Sequence, residues 1–358
     1  MSGPFLSHAF LGAVADRARG GKEPWAGAWQ QLVAAADKAM DQSPVSLRDN
    51  GGSPWFRQDG AYVAGRDGVR DTSANHESSR LASLAGGTAL DLALAWRLTG
   101  QASYADKALE LIHVWCINQN TRMFASGFIV DAWTPGGIYG GDIVMFASLH
   151  NLFLAIYLLE DYPGWNLRSH AAVKQWVRDM VAPQRKLMFF EGREMYNNWE
   201  DARLLYLAKG ALAAGDLDLL CYVFDRWRII VPIKMTDEGQ LPRETMRTRS
   251  MHYTLFALDS TTEVAEIARQ HGVDLYDYEA GGRCLKKAID YATGYLLNME
   301  TWPFEMLEPL SVDTASLRHL CLFEMAYDHW GDKRYLDVIK AYGGRPVTQM
   351  HATLLYGK

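Results

Sequence analysis

An all-α fold, an α/α barrel (toroid) of antiparallel helical hairpins, is predicted for this chain by three observations. Apolar residues recur at helical spacing over most of its 358 residues, short turns containing Gly-Asp or Gly-Gln separate several consecutive helical stretches, and no strict sequence period runs through them. Solenoids of stacked hairpins keep a repeat consensus, so its absence favours closure of the hairpins into a barrel. Residues 1–358 read as a single catalytic-sized domain of that kind.

The elements follow in pairs. Gly87–Thr99 sets Ala89, Leu92, Ala93 and Trp96 at i, i+3, i+4 and i+7, with Gly100 at the C-terminal cap. Ala102–Cys116 follows after a tight turn, apolar at Ala105, Ala108, Leu109, Ile112 and Trp115. Further helices are expected over Asp142–Leu159 and His170–Met180, Trp199–Ala213 and Leu217–Ile230, Ser250–Gln270 and Gly282–Leu297, and Ala315–Asp328 and Lys333–Ala341. Two stretches break the periodicity. Gln119–Gly141 is rich in Gly and aromatics, and Arg48–Asn75 opens on the turn formers Asp49, Asn50, Gly51, Gly52, Ser53 and Pro54; irregular loops on a rigid scaffold commonly serve binding.

Composition narrows the function classes. With 36 Lys+Arg against 42 Asp+Glu the formal net charge is −6, which argues against a surface that coats nucleic-acid phosphates. No stretch reaches the roughly 18 uninterrupted apolar residues of a membrane span. Met1–His8 lacks a basic segment followed by a long apolar one, so no signal peptide is visible; a chain secreted or periplasmic after removal of a leader would read the same as a cytoplasmic one. Oligomeric state is left open. Cys116, Cys221, Cys284 and Cys321 lie apart in helical patterns and read as buried thiols. The histidines show no HExxH-like spacing, so no metal or other cofactor is expected. Twelve Trp exceed what a core of this size needs; most should pack between helices, while Trp133 and Trp199 stand among polar residues suited to a sugar.

Two clusters carry chemistry. Tyr196-Asn197-Asn198-Trp199-Glu200-Asp201 stands at a helix start, where one Asn suffices as N-cap and the other leaves an amide for a ligand. Leu241–Tyr253 gathers Arg243, Arg247, Arg249, His252 and Tyr253 in an acidic chain. Either this is a solvated helix start, or its imidazole, phenol and guanidiniums are equipment for removing a proton next to a carboxylate.

These residues, in order, resemble the alginate-lyase-like polysaccharide lyases. The likeness runs from Phe5-Leu-Ser-His8, Asp16–Arg19 and Pro24-Trp25 through Leu98-Thr-Gly100 and Tyr104–Ala108. It continues over Asn198-Trp199-Glu200, Asp237–Pro242, Glu244–Arg247 and His252-Tyr253 to Ala265–Ala268 and Gly272–Tyr276. Alginate lyases of this type show Asn-Asn-His where this chain has Asn-Asn-Trp199, which is closer to the Asn-Trp-Glu form of glucuronan-lyase-like branches.

The resemblance implies β-elimination on a β-1,4-linked polyuronate, glucuronan ahead of alginate or polymannuronate, with an acidic polysaccharide as the partner. Asn198 and Arg247 would neutralise the substrate carboxylate. Tyr253 would act as both base and acid, helped by cationic neighbours among Arg247, Arg249 and His252, since a free phenol titrates near about 10; His252 as base with Tyr253 as acid is the other assignment. Asn197, Trp199 and Arg249 would bind substrate, together with Trp133, Tyr139, His76 and Arg80 from the irregular regions. Two other classes stay open: a glycoside hydrolase using carboxylates among Glu200, Asp201 and Glu244, and a carbohydrate-binding protein without catalysis.

Overall fold

Helices account for nearly all regular structure in the computed structural model, which describes residues 5–46, 49, 67, 77–123, 147–190, 196–310, 315–347 and 351–358. The main helices are His8–Arg19, Trp25–Met40, Glu77–Thr99, Ala102–Cys116, His150–Leu158, Leu167–Phe190, Asn198–Ala214, Leu217–Ile233, Ser250–Gln270, Leu285–Leu296, Cys321–Trp330 and Lys333–Ala341. Among the described residues, the only strands are the two-residue pair Glu279–Ala280 and Arg283–Cys284. The predicted all-α class holds. No described helix is long and apolar enough to cross a membrane.

Several boundaries coincide with the sequence reading and others move for identifiable reasons. Ala102–Cys116, Ser250–Gln270 and Lys333–Ala341 match residue for residue. The helix expected from Gly87 begins ten residues earlier at Glu77, because Gly86 and Gly87 sit inside it rather than punctuating it. Gly86 is needed there: a Cβ would stand 2.8 Å from the Ser148 carbonyl oxygen. Leu217–Ile233 runs one turn further than expected and carries Pro232 near its end. The expected Ala315–Asp328 helix starts as a 3₁₀ turn, Ala315–Leu320, and becomes α-helical only from Cys321. Of Asp142–Leu159, residues 142–146 lie outside the described residues.

The chain divides into two compact units, one made of Met1–Gly3, Val33–Glu194 and Tyr206–Leu220, the other of Pro4–Leu32, Met195–Leu205 and Cys221–Lys358. In the first, Phe153 packs edge-on against Trp176 and Tyr206, and the Trp115 indole donates to the Val45 carbonyl at 2.7 Å. Gly210 is packed so tightly that a Cβ would fall 2.3 Å from Val181 Cγ1.

The second unit is built around the Ser250–Gln270 helix, buried along nearly its whole length. Trp227, fully buried, lays its indole against this helix and donates to the Thr261 carbonyl at 3.0 Å. Glu324 anchors the C-terminal segment, accepting from Arg345 and from Thr353 Oγ1. The thiols do not all conform to the expectation of burial: Cys116 and Cys321 are buried, but Cys221 is exposed on its helix and Cys284, in the short strand Arg283–Cys284, is half-buried.

Replacing Trp227 by Ala removes both the indole volume and its hydrogen bond from a sealed site. The variant should lose about 3–5 kcal/mol in urea unfolding. A loss under about 1 kcal/mol would show that the helix is not held there.

Candidate active site

The site is assembled in the second unit from the start of the Asn198–Ala214 helix, the Leu241–Arg249 turn and the first two turns of the Ser250–Gln270 helix. The two asparagines have separate tasks. Asn197 is the N-cap: its Oδ1 accepts from the Trp199 N–H at 3.2 Å and its carbonyl accepts from Glu200 and Asp201. Asn198, only 1% exposed, donates its backbone N–H to Glu244 Oε1 at 2.8 Å and its side-chain amide to Glu244 Oε2 at 2.9 Å. Its Oδ1 is buried without a partner among the described residues.

Glu244 is itself buried, on the four-residue helix Pro242–Thr245. Burial pushes its carboxyl up to about 7, aided by nearby Asp201 and opposed by the Asn198 N–H, Lys234 and Arg247. The other carboxylates of the cluster are engaged with cations. Glu200 accepts from Arg226 at 2.9 Å, and Asp201 is bound by Lys234 at 2.5 Å and by Thr261 Oγ1 at 3.2 Å. Burial raises both above the usual carboxylate range despite those partners.

One turn onward, the Arg247 guanidinium lies over the Tyr253 ring, 3.9 Å from its centroid. Arg247 is tied back to the turn by its N–H to the Glu244 carbonyl at 3.1 Å. Arg249 occupies the N-cap position of the Ser250 helix and pairs with the exposed Glu308 at 2.6 Å. Ser250 anchors the same end, donating to the Glu305 carbonyl at 2.6 Å and accepting from the Trp302 indole at 2.8 Å.

His252 departs from expectation. Burial, with His319, Arg249, Arg318 and Arg247 around it, lowers its pKa to about 3, so the imidazole is neutral at pH 7. It therefore lends no positive charge to the neighbouring phenol, whose ring lies 5.3 Å from its own. Arg247 is a cation that does reach Tyr253.

A second pair escaped the sequence reading. Asp259 accepts from His319 Nδ1 at 2.8 Å and from the Cys321 thiol at 2.9 Å, and the His319 ring stands 5.7 Å from that of His252. His252, Phe256 and Asp259 follow i, i+4, i+7 on one helix, a legible signal. His319, sixty residues away, had none.

The remaining expectations fall outside this cluster. Arg80, in the first unit, is exposed and pairs with Glu77 of its own helix. Trp199 is half-buried beside the Asn197 cap. His76, Trp133 and Tyr139 lie outside the described residues. Among the described residues no cluster of His, Cys, Asp and Glu is arranged to hold a metal ion.

The alginate lyase family profile matches residues 19–302, a span that contains Asn198, Glu244, Arg247, Arg249, His252, Tyr253 and Asp259 but neither His319 nor Cys321. The chain belongs to the alginate lyase family. It is thus a polysaccharide lyase, and the engaged Glu200, Asp201 and Glu244 are not the carboxylate pair of a hydrolase. An alginate lyase from Bacteroides ovatus superposes with a TM-score of 0.78 at 20% identity, over 98% of this chain and 97% of the other. Alginate lyase A1-III from Sphingomonas species A1 superposes at 0.75 and 17% identity, over 100% and 97%. A variant of A1-III complexed with a tetrasaccharide gives 0.70 at 17% identity, over 99% and 96%. At these identities the likeness establishes the shared all-α fold of the α/α-barrel class. No curated protein sequence matches significantly.

Lys234→Ala leaves the Asp201 carboxylate buried without its cation, and should cost about 3–5 kcal/mol in urea unfolding. Arg249→Ala, which breaks a pair with an exposed acid, should cost less than about 1 kcal/mol.

His252 yields a pH prediction. Between about pH 6.5 and 3 the unfolded chain binds a proton at this residue that the folded protein does not, so its burial makes stability fall as pH drops through that window. His252→Gln should lose less stability than the parent between pH 7 and pH 4.5; equal losses would contradict a buried neutral imidazole.

Proposed function

We propose that the protein cleaves a β-1,4-linked acidic polysaccharide by β-elimination, with glucuronan as the favoured substrate. The observation that carries this reading is that a single turn, residues 242–249, brings Glu244 onto Asn198 and Arg247 onto Tyr253. Asn198 and Arg247 bind the uronate carboxylate and draw off its charge, which makes the C5 proton removable. Tyr253, as phenolate, takes that proton. The electron pair of the C5–H bond forms the C4=C5 double bond, the C4–O4 bond breaks, and the phenol returns the proton to O4. The reaction is redox-neutral, and the syn geometry lets one group act twice.

The guanidinium over the Tyr253 ring supports this assignment, since it attracts negative charge developing on the phenol. His252, neutral and of very low basicity, suits the role of a hydrogen-bonding neighbour better than that of base. The preference for glucuronan rests on Trp199 following Asn198. Alginate or polymannuronate is the second reading, favoured by the family match and by the neighbours named as alginate lyases.

The test is an ultraviolet assay on glucuronan, polymannuronate and polyguluronate, since only elimination leaves a double bond conjugated to the carboxylate. Absorbance should rise fastest on glucuronan, and Tyr253→Phe should lower kcat by at least about a thousandfold. Polymer shortening without new absorbance would exclude elimination.

A further inference from the structure

We propose that Glu244 is a positioning residue of the reaction, its carboxylate setting which face of the Asn198 amide meets the substrate. This rests on the reading of Asn198 as a carboxylate-neutralising group. Both Glu244 oxygens are used on Asn198, one on the backbone N–H at 2.8 Å and one on the side-chain nitrogen at 2.9 Å. An amide is nearly symmetric in shape and can sit either way round in a pocket. A carboxylate oxygen at 2.9 Å removes that freedom, because an amide oxygen there would meet lone pairs with lone pairs. With its nitrogen held toward Glu244, Asn198 keeps its second amide N–H for a substrate carboxylate.

Helix capping does not account for the contact. Asn197 already caps this helix, accepting from Trp199, and burial of a carboxylate is a costly way to satisfy one more backbone donor. Moreover, Glu244 joins both halves of the site, since its carbonyl accepts from the Arg247 N–H at 3.1 Å while its side chain grips Asn198. The turn is stiffened from below by Gln240 donating to Thr245 Oγ1 at 2.7 Å.

Protonation undoes the arrangement. A neutral Glu244 offers one acceptor fewer and one new donor, and the Asn198 Oδ1, buried without a partner among the described residues, is the acceptor that donor meets once the amide flips. The flipped amide turns oxygen toward the substrate carboxylate and repels it. Glu244 faces Asp201 of the Asn198 helix, Lys234 just past the end of the Leu217–Ile233 helix, and Arg247 at the end of its own turn. With burial these bring its titration to about 7, so turnover should rise with pH through neutrality as the carboxylate ionises.

The experiment measures kcat and KM from pH 5 to 9 on the best uronate polymer for the parent, Glu244→Gln, Asn198→Ala and the double variant, with thermal melts of each. Glu244→Gln should lower kcat about a hundredfold, change KM less than about threefold, and abolish the acid limb near neutrality. In the Asn198→Ala background the same change should cost less than about twofold, because its effect travels through Asn198. The proposal is overturned if Asn198→Ala is inactive while Glu244→Gln keeps parental turnover and acid limb, or if Glu244→Gln costs as much with Asn198 absent as present. A Glu244→Gln protein that melts far lower yet turns over normally per folded molecule makes the residue structural and also overturns it. Parental turnover in Asn198→Ala instead removes the reading of Asn198 itself, and the proposal with it.

Discussion

A buried carboxylate at the start of a helix organises the candidate active site. Glu244 gives up most of its hydration, and what offsets that cost is two hydrogen bonds from Asn198 and the nearby cations Lys234 and Arg247. The compensation is incomplete, which is why its carboxyl remains easier to protonate than a surface acid. Removing that contact would free the Asn198 amide and loosen the turn that delivers Arg247 to Tyr253.

The site also explains how an acidic protein can hold a polyanion. Net charge is −6 over the whole chain, yet the groups around His252 include Arg247, Arg249 and Arg318, which help hold its imidazole neutral. Three arginines gathered around one residue fit a carboxylated polymer gripped at a single point better than a phosphate-coating interface. Alongside it, Asp259 orients His319 and holds the Cys321 thiol, a buried polar pair whose members come from distant segments.

Much of this was legible from local patterns. The helices Ala102–Cys116 and Ser250–Gln270 follow from apolar spacing and their flanking signals, and the density of Arg, His and Tyr over residues 243–253 pointed to the turn of the candidate site. Asn197 and Asn198 were recognisable as a cap plus one further amide. Which was which depended on Glu244, forty-six residues away, and no local spacing encodes that meeting. Likewise Gly86, one residue ahead of the expected helix start at Gly87, proves to be the point of contact with the Ser148 backbone.

Sequence alone determined the all-α class, the principal helices and the segments that make up the candidate site, because helical periodicity and local composition are properties of near neighbours. Tertiary structure decided their states. It joined Asn198 at the helix start to Glu244, made His252 neutral instead of cationic, and laid Arg247 over Tyr253. Charge state and hydrogen-bond partner depend on burial and on groups remote in the chain, and those exist only once the helices have packed.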